Sequence, residues 1–308
     1  MMGLRLFEQT MQHQFRNSQN NYYAPKRQTP SPRHSFRRLL IPVAAMLVLG
    51  IVITSRVEAQ VAVDAAAAKK LQAKNEVIQH ASATIRSLIA ADGDDTIGVA
   101  IENVKTGSIT LYGQTSQFDA ASTEKILSAI TYYHLVEQGT LRLDDTVGPY
   151  PASYQLKQMI NQSNNDSWDA LNDAVGGNDA LQAYAQSIGL HYNVDGNLMS
   201  AKDMATLLTK LYTGKLLNAD DTKQLLSYMQ YTNDETLIPS VLPSGLTIYH
   251  KYGELNDGTV NVLHDAGIVT DGSATYAIVI YSDGDSDETS RTNTIKQIAQ
   301  AAFTVCGW

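Results

Sequence analysis

Ala120-Ala121-Ser122-Thr123-Glu124-Lys125-Ile126-Leu127-Ser128-Ala129-Ile130 is the stretch on which the rest of the chain turns: a polar junction that passes into an apolar helical run. If a helix starts near Ser122, then Ser122 and Lys125 project from one face and an amine sits beside a hydroxyl. A serine hydroxyl is a poor nucleophile until a neighbouring base takes its proton. A lysine can be that base only where desolvation lowers its pKa. The first turn of a helix facing a cleft offers such a setting. The same letters also describe an ordinary helix start, with Ser122 capping and Lys125 in solvent.

Outward from this stretch, the helix runs through Ile126, Ile130 and Leu135 to Gly139, a residue suited to a C-terminal cap. Before it, Ile97 to Val104 and Ser108 to Tyr112 alternate apolar and polar residues around Lys105-Thr106-Gly107, which predicts a β-hairpin. After it, short helical patterns follow one another between Ala152 and Tyr231, marked by Leu156 to Ile160, Trp168 to Val175, Leu181 to Ile188, Met204 to Leu211 and Leu225 to Met229. Strand character returns in Leu246 to Lys251, Val260 to Val269 and Tyr276 to Tyr281, and an amphipathic helix carrying Ile295, Ile298, Ala299, Ala302 and Phe303 ends the chain. Strands at both ends with helices between them predict an α+β fold: an antiparallel sheet flanked by N- and C-terminal helices, with an inserted all-α lobe.

At 308 residues, 44% hydrophobic and 18% charged, the chain has room for one two-lobed domain plus an appendage. A net charge of -8 argues against nucleic acid as a partner of the folded part. The charge is unevenly placed. Arg5, Arg16, Lys26, Arg27, Arg33, Arg37 and Arg38 stand against Glu8 in a segment rich in Gln, Asn, Ser and Pro, so 1–38 is expected to be a disordered basic tail. The uncharged run Leu39 to Thr54 follows, and 39–56 is expected to be a membrane anchor, with the arginines keeping the tail cytoplasmic and the domain outside. The run is short for a full span and Val57-Glu58-Ala59 resembles a cleavage site, so a cleaved signal peptide is the competing reading; a buried core helix is a third. Residues 57–79 are Ala-rich and read as a stalk that merges into the first helix of a domain spanning 80–308. Cys306 has no cysteine to pair with and is expected to pack inside the last helix. A monomer is expected, with neither metal nor cofactor.

Two further polar stretches could converge on Ser122. Gln162-Ser163-Asn164-Asn165-Asp166 follows an apolar helix end and also reads as a helix cap. His250-Lys251-Tyr252-Gly253-Glu254 closes the first late strand and also reads as an exposed charge with a turn glycine.

The three stretches, in this order, resemble the motifs of the penicillin-recognising serine hydrolases: class A β-lactamases and the related penicillin-binding peptidases. The flanking Phe118-Asp119 and His264-Asp265-Ala266-Gly267-Ile268-Val269 add to the resemblance, which covers about residues 80 to 305. It implies a β-lactamase/transpeptidase-like fold and roles for the matching positions. Ser122 would be acylated, with Lys125 accepting its proton directly or through water. Ser163 would relay a proton to the leaving nitrogen, and Lys251 would supply positive charge near Ser163 and the substrate carboxylate. Asn165, Tyr252, Gly253 and Glu254 would contact substrate: Asn165 by its side-chain amide, Gly253 by allowing close approach, and Glu254 by a backbone N–H that forms an oxyanion hole with that of Ser122. Lys105-Thr106-Gly107 spells the family's third motif literally, but it precedes the nucleophile and occupies a hairpin turn, so chain order gives the role to Lys251-Tyr252-Gly253.

The chain departs from the family in three places. Tyr252 stands where a short Thr or Ser hydroxyl is usual, and a tyrosine hydroxyl lies too far from the backbone to take its place. Asn164 stands where Asp is usual, at a position that is mainly structural. The loop Gly189 to Met199 is short and lacks the glutamate that class A enzymes use for deacylation; Asp195 fits a turn before Gly196 better than the role of a base. The resemblance therefore implies a serine acyl-enzyme hydrolase acting on β-lactams or D-alanyl cell-wall peptides, with slow deacylation. The alternatives are a non-catalytic module that binds cell wall or a partner protein, and an esterase or amidase of the same fold.

Overall fold

The computed structural model describes residues 36–258 and 260–308, with side chains from residue 45 onward. Most of the expected disordered tail therefore lies outside the described residues. In chain order, α1 (Phe36–Ala91) leads into β1 (Asp95–Asn103), β2 (Ile109–Gly113), β3 (Phe118–Asp119) and α2 (Lys125–Glu137). Next come β4 (Thr146–Val147), β5 (Tyr150–Pro151), α3 (Ala152–Asn161), α4 (Asn165–Val175), α5 (Gly177–Ser187), β6 (Tyr192–Asn193), β7 (Leu198–Met199), α6 (Ala201–Tyr212) and α7 (Ala219–Tyr228). The chain closes with β8 (Thr247–Asn256), β9 (Asn261–Thr270), β10 (Thr275–Gly284) and α8 (Glu288–Cys306). It divides into two compact units between Ala67 and Ala68.

In the first unit, α1 exposes Met46, Leu47, Leu49 and Ile51. The helix is long and apolar enough to cross a membrane, with a mean hydropathy of 1.6 in its most apolar window.

In the second unit the strands form one five-stranded sheet in the order β2-β1-β10-β9-β8. Every pairing within it is antiparallel. Because side chains alternate across a strand, β10 sends Ile278 and Ile280 to one face and Ala277, Val279 and Tyr281 to the other. The first face packs against Ile85 of α1 and against Ile295, Ile298 and Phe303 of α8. The second packs against α2 and α6 through residues such as Ile130, Met204 and Leu208, in a core that continues into the helical lobe. With both faces covered, β9 is buried along nearly its whole length, so its sequence lacks a solvent face. Arg291 of α8 reaches Asp95 at the start of β1 at 3.0 Å and clamps the terminal helix to the sheet. Cys306 is buried in α8, and burial pushes its thiol well up, which makes it inert.

Two sequence expectations need correction. The α-helix begins at Lys125 rather than at Ser122: Ala121–Glu124 form a 3-10 turn, tightened where the Thr123 N–H and hydroxyl both donate to the Ala120 carbonyl, at 3.1 and 2.6 Å. The stretch Lys251 to Glu254 does not close a strand. It runs through the middle of β8, with Tyr252 opposite Asp265 and Gly253 opposite His264. Short strands such as β3, β6 and β7, which pair with one another, carry too few residues for any period to show in the sequence.

Candidate active site

The turn that carries Ser122 is held from below by the short loop between β6 and α6. Asn197, in the left-handed conformation at φ 50°, donates its side-chain amide to Asp119 and to the Ala121 carbonyl, both at 3.1 Å. Its own carbonyl accepts from the Ala120 N–H at 2.8 Å. Ala121 is itself at φ 45°, a conformation that costs a residue with a Cβ on the order of 1 kcal/mol or more and persists only where neighbours over-determine it. Ser163, at φ 56°, is strained in the same way. Both strained residues touch the candidate chemistry. Asn is among the few side chains suited to the left-handed region, so Gly196-Asn197 carried a readable turn signal, but nothing in it told what the turn supports.

Gly253 lies against the turn that carries Ser122. Its φ is not positive, and a Cβ there would come within 3.1 Å of the Ala120 carbonyl and of the Thr123 backbone nitrogen. The absent side chain lets β8 approach the Ala120–Thr123 backbone closely.

Ser163 is the meeting point. Lys125 Nζ, on the first residue of α2, donates to the Ser163 carbonyl at 2.7 Å and to Asn165 Oδ1 at 2.5 Å, and stands 3.5 Å from Ser163 Oγ. Lys251 Nζ, from β8, donates to the same Ser163 Oγ at 2.9 Å and to its neighbour's carbonyl on Tyr252 at 2.9 Å. Asn164 caps α4 by accepting from the Ser167 N–H at 2.7 Å, which fixes the turn that presents Ser163. The Ser122 hydroxyl, half-buried, makes no hydrogen bond among the described residues. Its oxygen is thus free of the hydrogen bonds that hold the other polar groups.

Burial sets the electrostatics. Lys125 and Lys251 are 2% and 0% exposed, and among the described residues neither forms an ion pair. Burial pulls the Lys125 ammonium down to about 8, against a smaller opposing pull from Glu124. Burial and then the charge of Lys125 hold Lys251 well below its ordinary value. Glu124 escaped the sequence reading although it lies inside the Ser-x-x-Lys turn. It is fully buried, accepts from the Ser128 hydroxyl at 2.7 Å, and keeps one oxygen without a partner among the described residues. Burial pushes its carboxyl up to about 7. Trp168 donates to the same Ser128 hydroxyl at 3.0 Å, and its ring centroid lies 5.7 Å from Lys125 Nζ.

A second buried cluster lies behind Lys251. His250 shares its ring nitrogens between Asp265 at 2.9 Å and Glu235 at 3.1 Å. Burial alone would lower its pKa, but Asp265 and then Glu235 outweigh that and hold it at about 9. Asn233, in the segment this cluster secures, donates to the Tyr252 hydroxyl at 3.0 Å.

Of the eight residues singled out in the sequence, Lys125, Ser163, Asn165 and Lys251 are joined by hydrogen bonds, Tyr252 covers Lys251, and Gly253 abuts the turn bearing Ser122. The exposed Glu254 side chain instead lines a separate cavity with Asn256 and Arg291. Lys105-Thr106-Gly107 occupies the β1–β2 turn, where the Gly107 N–H donates to the Asn103 carbonyl at 2.8 Å. Among the described residues no group of His, Cys, Asp and Glu is arranged to hold a metal.

Comparison with known proteins gives a consistent match. The model of the beta-lactamase enzyme family matches residues 80–155 and 148–305. The extended-spectrum beta-lactamase PER-1 of Pseudomonas aeruginosa is 27% identical over 251 residues, which is 68% of this chain and 82% of that protein. The structure of PBP-A superposes with a TM-score of 0.66 at 26% identity, covering 74% of this chain and 94% of PBP-A. A beta-lactamase from Chitinophaga pinensis superposes equally well, at 0.66, with 23% identity over 72% of this chain and 97% of its own, a likeness of fold.

Proposed function

The chain belongs to the beta-lactamase enzyme family, and from that premise we propose that Ser122 is the nucleophile of a serine acyl-enzyme hydrolase acting on β-lactams or D-alanyl cell-wall peptides. The observation that carries this reading is the pair of buried lysine amines that flank Ser163 Oγ, at 3.5 and 2.9 Å. Burying two amines without an acid partner costs several kcal/mol, on the order of 1.4 kcal/mol for each pH unit by which a pKa is displaced. A protein that only binds gains nothing from that cost; one that needs a neutral amine at physiological pH does.

The chemistry follows from these positions. Neutral Lys125 takes the proton of Ser122 as Oγ bonds to the substrate carbonyl carbon. The negative charge that develops on the carbonyl oxygen is met by the backbone N–H groups of Ser122 and Glu254. The C–N bond then breaks, its nitrogen taking a proton from Ser163 Oγ, which is replenished from Lys125. The Ser122 proton thus ends on the leaving group, and Lys251 holds Ser163 in line. Asn165 orients Lys125 and receives the substrate's amide.

Deacylation is slow. What supports this is the loop 189–199, whose one acid, Asp195, is exposed in a 3-10 turn and whose Asn197 is committed to propping Ala121. A PBP-A variant has been captured as an acyl-enzyme with penicillin G. The domain is carried outside the membrane on an uncleaved anchor formed by the apolar start of α1, with the basic segment before it in the cytoplasm.

Covalent labelling by a fluorescent penicillin tests the nucleophile. The wild-type protein is expected to form a band that survives denaturation, and Ser122→Ala is expected to lose it entirely; an equally labelled Ser122→Ala protein would overturn the assignment.

A further inference from the structure

One cross-strand row of the sheet lies against the turn that carries Ser122. In register it reads Gly98, Tyr281, His264, Gly253, from β1 through β10 and β9 to β8. Residues opposite one another across a sheet share a face, so the row presents two rings between two glycines. At one end a Cβ on Gly98 would come within 2.8 Å of the Phe118 ring; at the other, a Cβ on Gly253 would come within 3.1 Å of the Ala120 carbonyl and the Thr123 nitrogen. The stretch from Phe118 to Thr123 therefore lies across the row, in close contact where side chains are missing.

Between the glycines, both rings reach this stretch with their polar tips. His264 Nε2 donates to the Asp119 carbonyl at 2.7 Å, and Nδ1 accepts from the Ser282 N–H at 3.1 Å. These two bonds fix one neutral tautomer, because Nδ1 already faces a donor. The imidazole is 0% exposed and burial holds its pKa at about 4, so it is uncharged at neutral pH. Tyr281 stacks on it with 4.2 Å between ring centroids. The Tyr281 hydroxyl lies 2.7 Å from Thr123 Oγ1; since that threonine gives its one proton to the Ala120 carbonyl, the tyrosine is the donor.

Asp119 passes the contact on. Its carboxyl accepts from the Ala121 N–H at 2.9 Å, and Ala121 is the strained residue, at φ 45°, that immediately precedes Ser122. An apolar side chain in place of His264 would leave the Asp119 carbonyl and the Ser282 N–H without these partners.

We propose that His264 is a positioning residue for acylation: by holding Asp119 it keeps Ala121 in its strained conformation and sets the direction of the Ser122 hydroxyl and N–H. This role rests on the acyl-enzyme reading above, and His264 performs it without touching the substrate.

Two substitutions divide the bonds of the histidine. His264→Gln places an amide nitrogen where Nε2 stands and keeps the bond to Asp119; His264→Asn places an amide oxygen where Nδ1 stands and keeps only the bond from Ser282. Intact-mass kinetics of the purified full chain over a range of benzylpenicillin concentrations separate the acylation step from the affinity of the complex that precedes it. His264→Asn is expected to slow the acylation step by about tenfold or more with affinity little changed, and His264→Gln to stay within about threefold of wild type. A residue that only fills space would move both variants together, in step with their melting temperatures. A His264→Asn rate equal to or above that of His264→Gln would overturn the proposal and leave the acyl-enzyme reading intact. Nitrogen NMR of the wild-type imidazole gives a test that does not depend on the folding of either variant: a proton on Nε2 alone between pH 6 and 8 is expected, and a proton on Nδ1 would overturn the proposal. No adduct on the wild-type protein would overturn the acyl-enzyme reading, and this role with it.

Discussion

Burial lowers the pKa of Lys125, which suits the base role proposed for it, and Glu124 opposes that shift. With its pKa held at about 8 by desolvation, the neutral fraction of Lys125 rises steeply between pH 7 and 9, so acylation should follow a single ionisation with its midpoint near 8. Glu124 acts on Lys125 in the opposite sense, favouring the ammonium, so Glu124→Gln should move that midpoint to lower pH. Stopped-flow acylation across pH 6 to 10 reads both; an unmoved midpoint in the variant would separate Glu124 from Lys125. The same carboxyl carries a stability signature. Its folded pKa of about 7 lies above the ordinary carboxyl value of 4.5, so below pH 4.5 both states are protonated and burial carries no ionisation penalty. Between pH 4.5 and 7 the unfolded chain ionises first and the folded state loses ground, by ~3 kcal/mol at about 1.4 kcal/mol per pH unit. Denaturant titrations should therefore show Glu124→Gln gaining stability relative to wild type across that interval. A constant difference would contradict the assignment.

At the scale of elements, the site exists because two backbone segments, β8 and the turn from Ala120 to Thr123, approach more closely than side chains normally permit. A Cβ on Gly253 would meet the Ala120 carbonyl and the Thr123 nitrogen at 3.1 Å, and neither backbone can retreat without disturbing Ser122. Gly253→Ala is expected to destabilise the protein by about 1–3 kcal/mol and to slow acylation more than tenfold. Retention of wild-type acylation, measured with the same penicillin probe, would show that β8 and the turn can separate harmlessly. Here the limits of the sequence have a physical form. The longer runs reported their elements: Val260 to Val269 as a strand covered on both faces, and Ile295 to Phe303 as a helix whose burial repeats with the period of the backbone. Ser122, Lys125, Ser163 and Lys251 were legible through order and spacing. Asn197, Asn233 and Glu124 were not: each acts across the fold or against its own local pattern, and a buried glutamate inside a helix turn spells the same as an exposed one.

For the whole molecule, the open question is where the domain works and what becomes of its acyl-enzyme. The helix that exposes Met46, Leu49 and Ile51 is long and apolar enough to cross a membrane, as an anchor or as a signal that is removed. An uncleaved anchor predicts that the 33.6 kDa chain stays with membranes through alkaline extraction and leaves only with detergent; recovery of a shorter soluble form from outside the cell would favour cleavage. The fate of the proposed acyl-enzyme depends on the whole architecture, since the amines proposed to form it come from α2 and β8, while the loop between β6 and α6 supports the turn that carries Ser122. The most direct measurement is an intact-mass time course of the purified chain after one equivalent of benzylpenicillin. A mass increase of one penicillin on Ser122, formed quickly and decaying over many minutes or longer, is the predicted result; no adduct at any time, or complete hydrolysis of excess penicillin with free enzyme throughout, would contradict it.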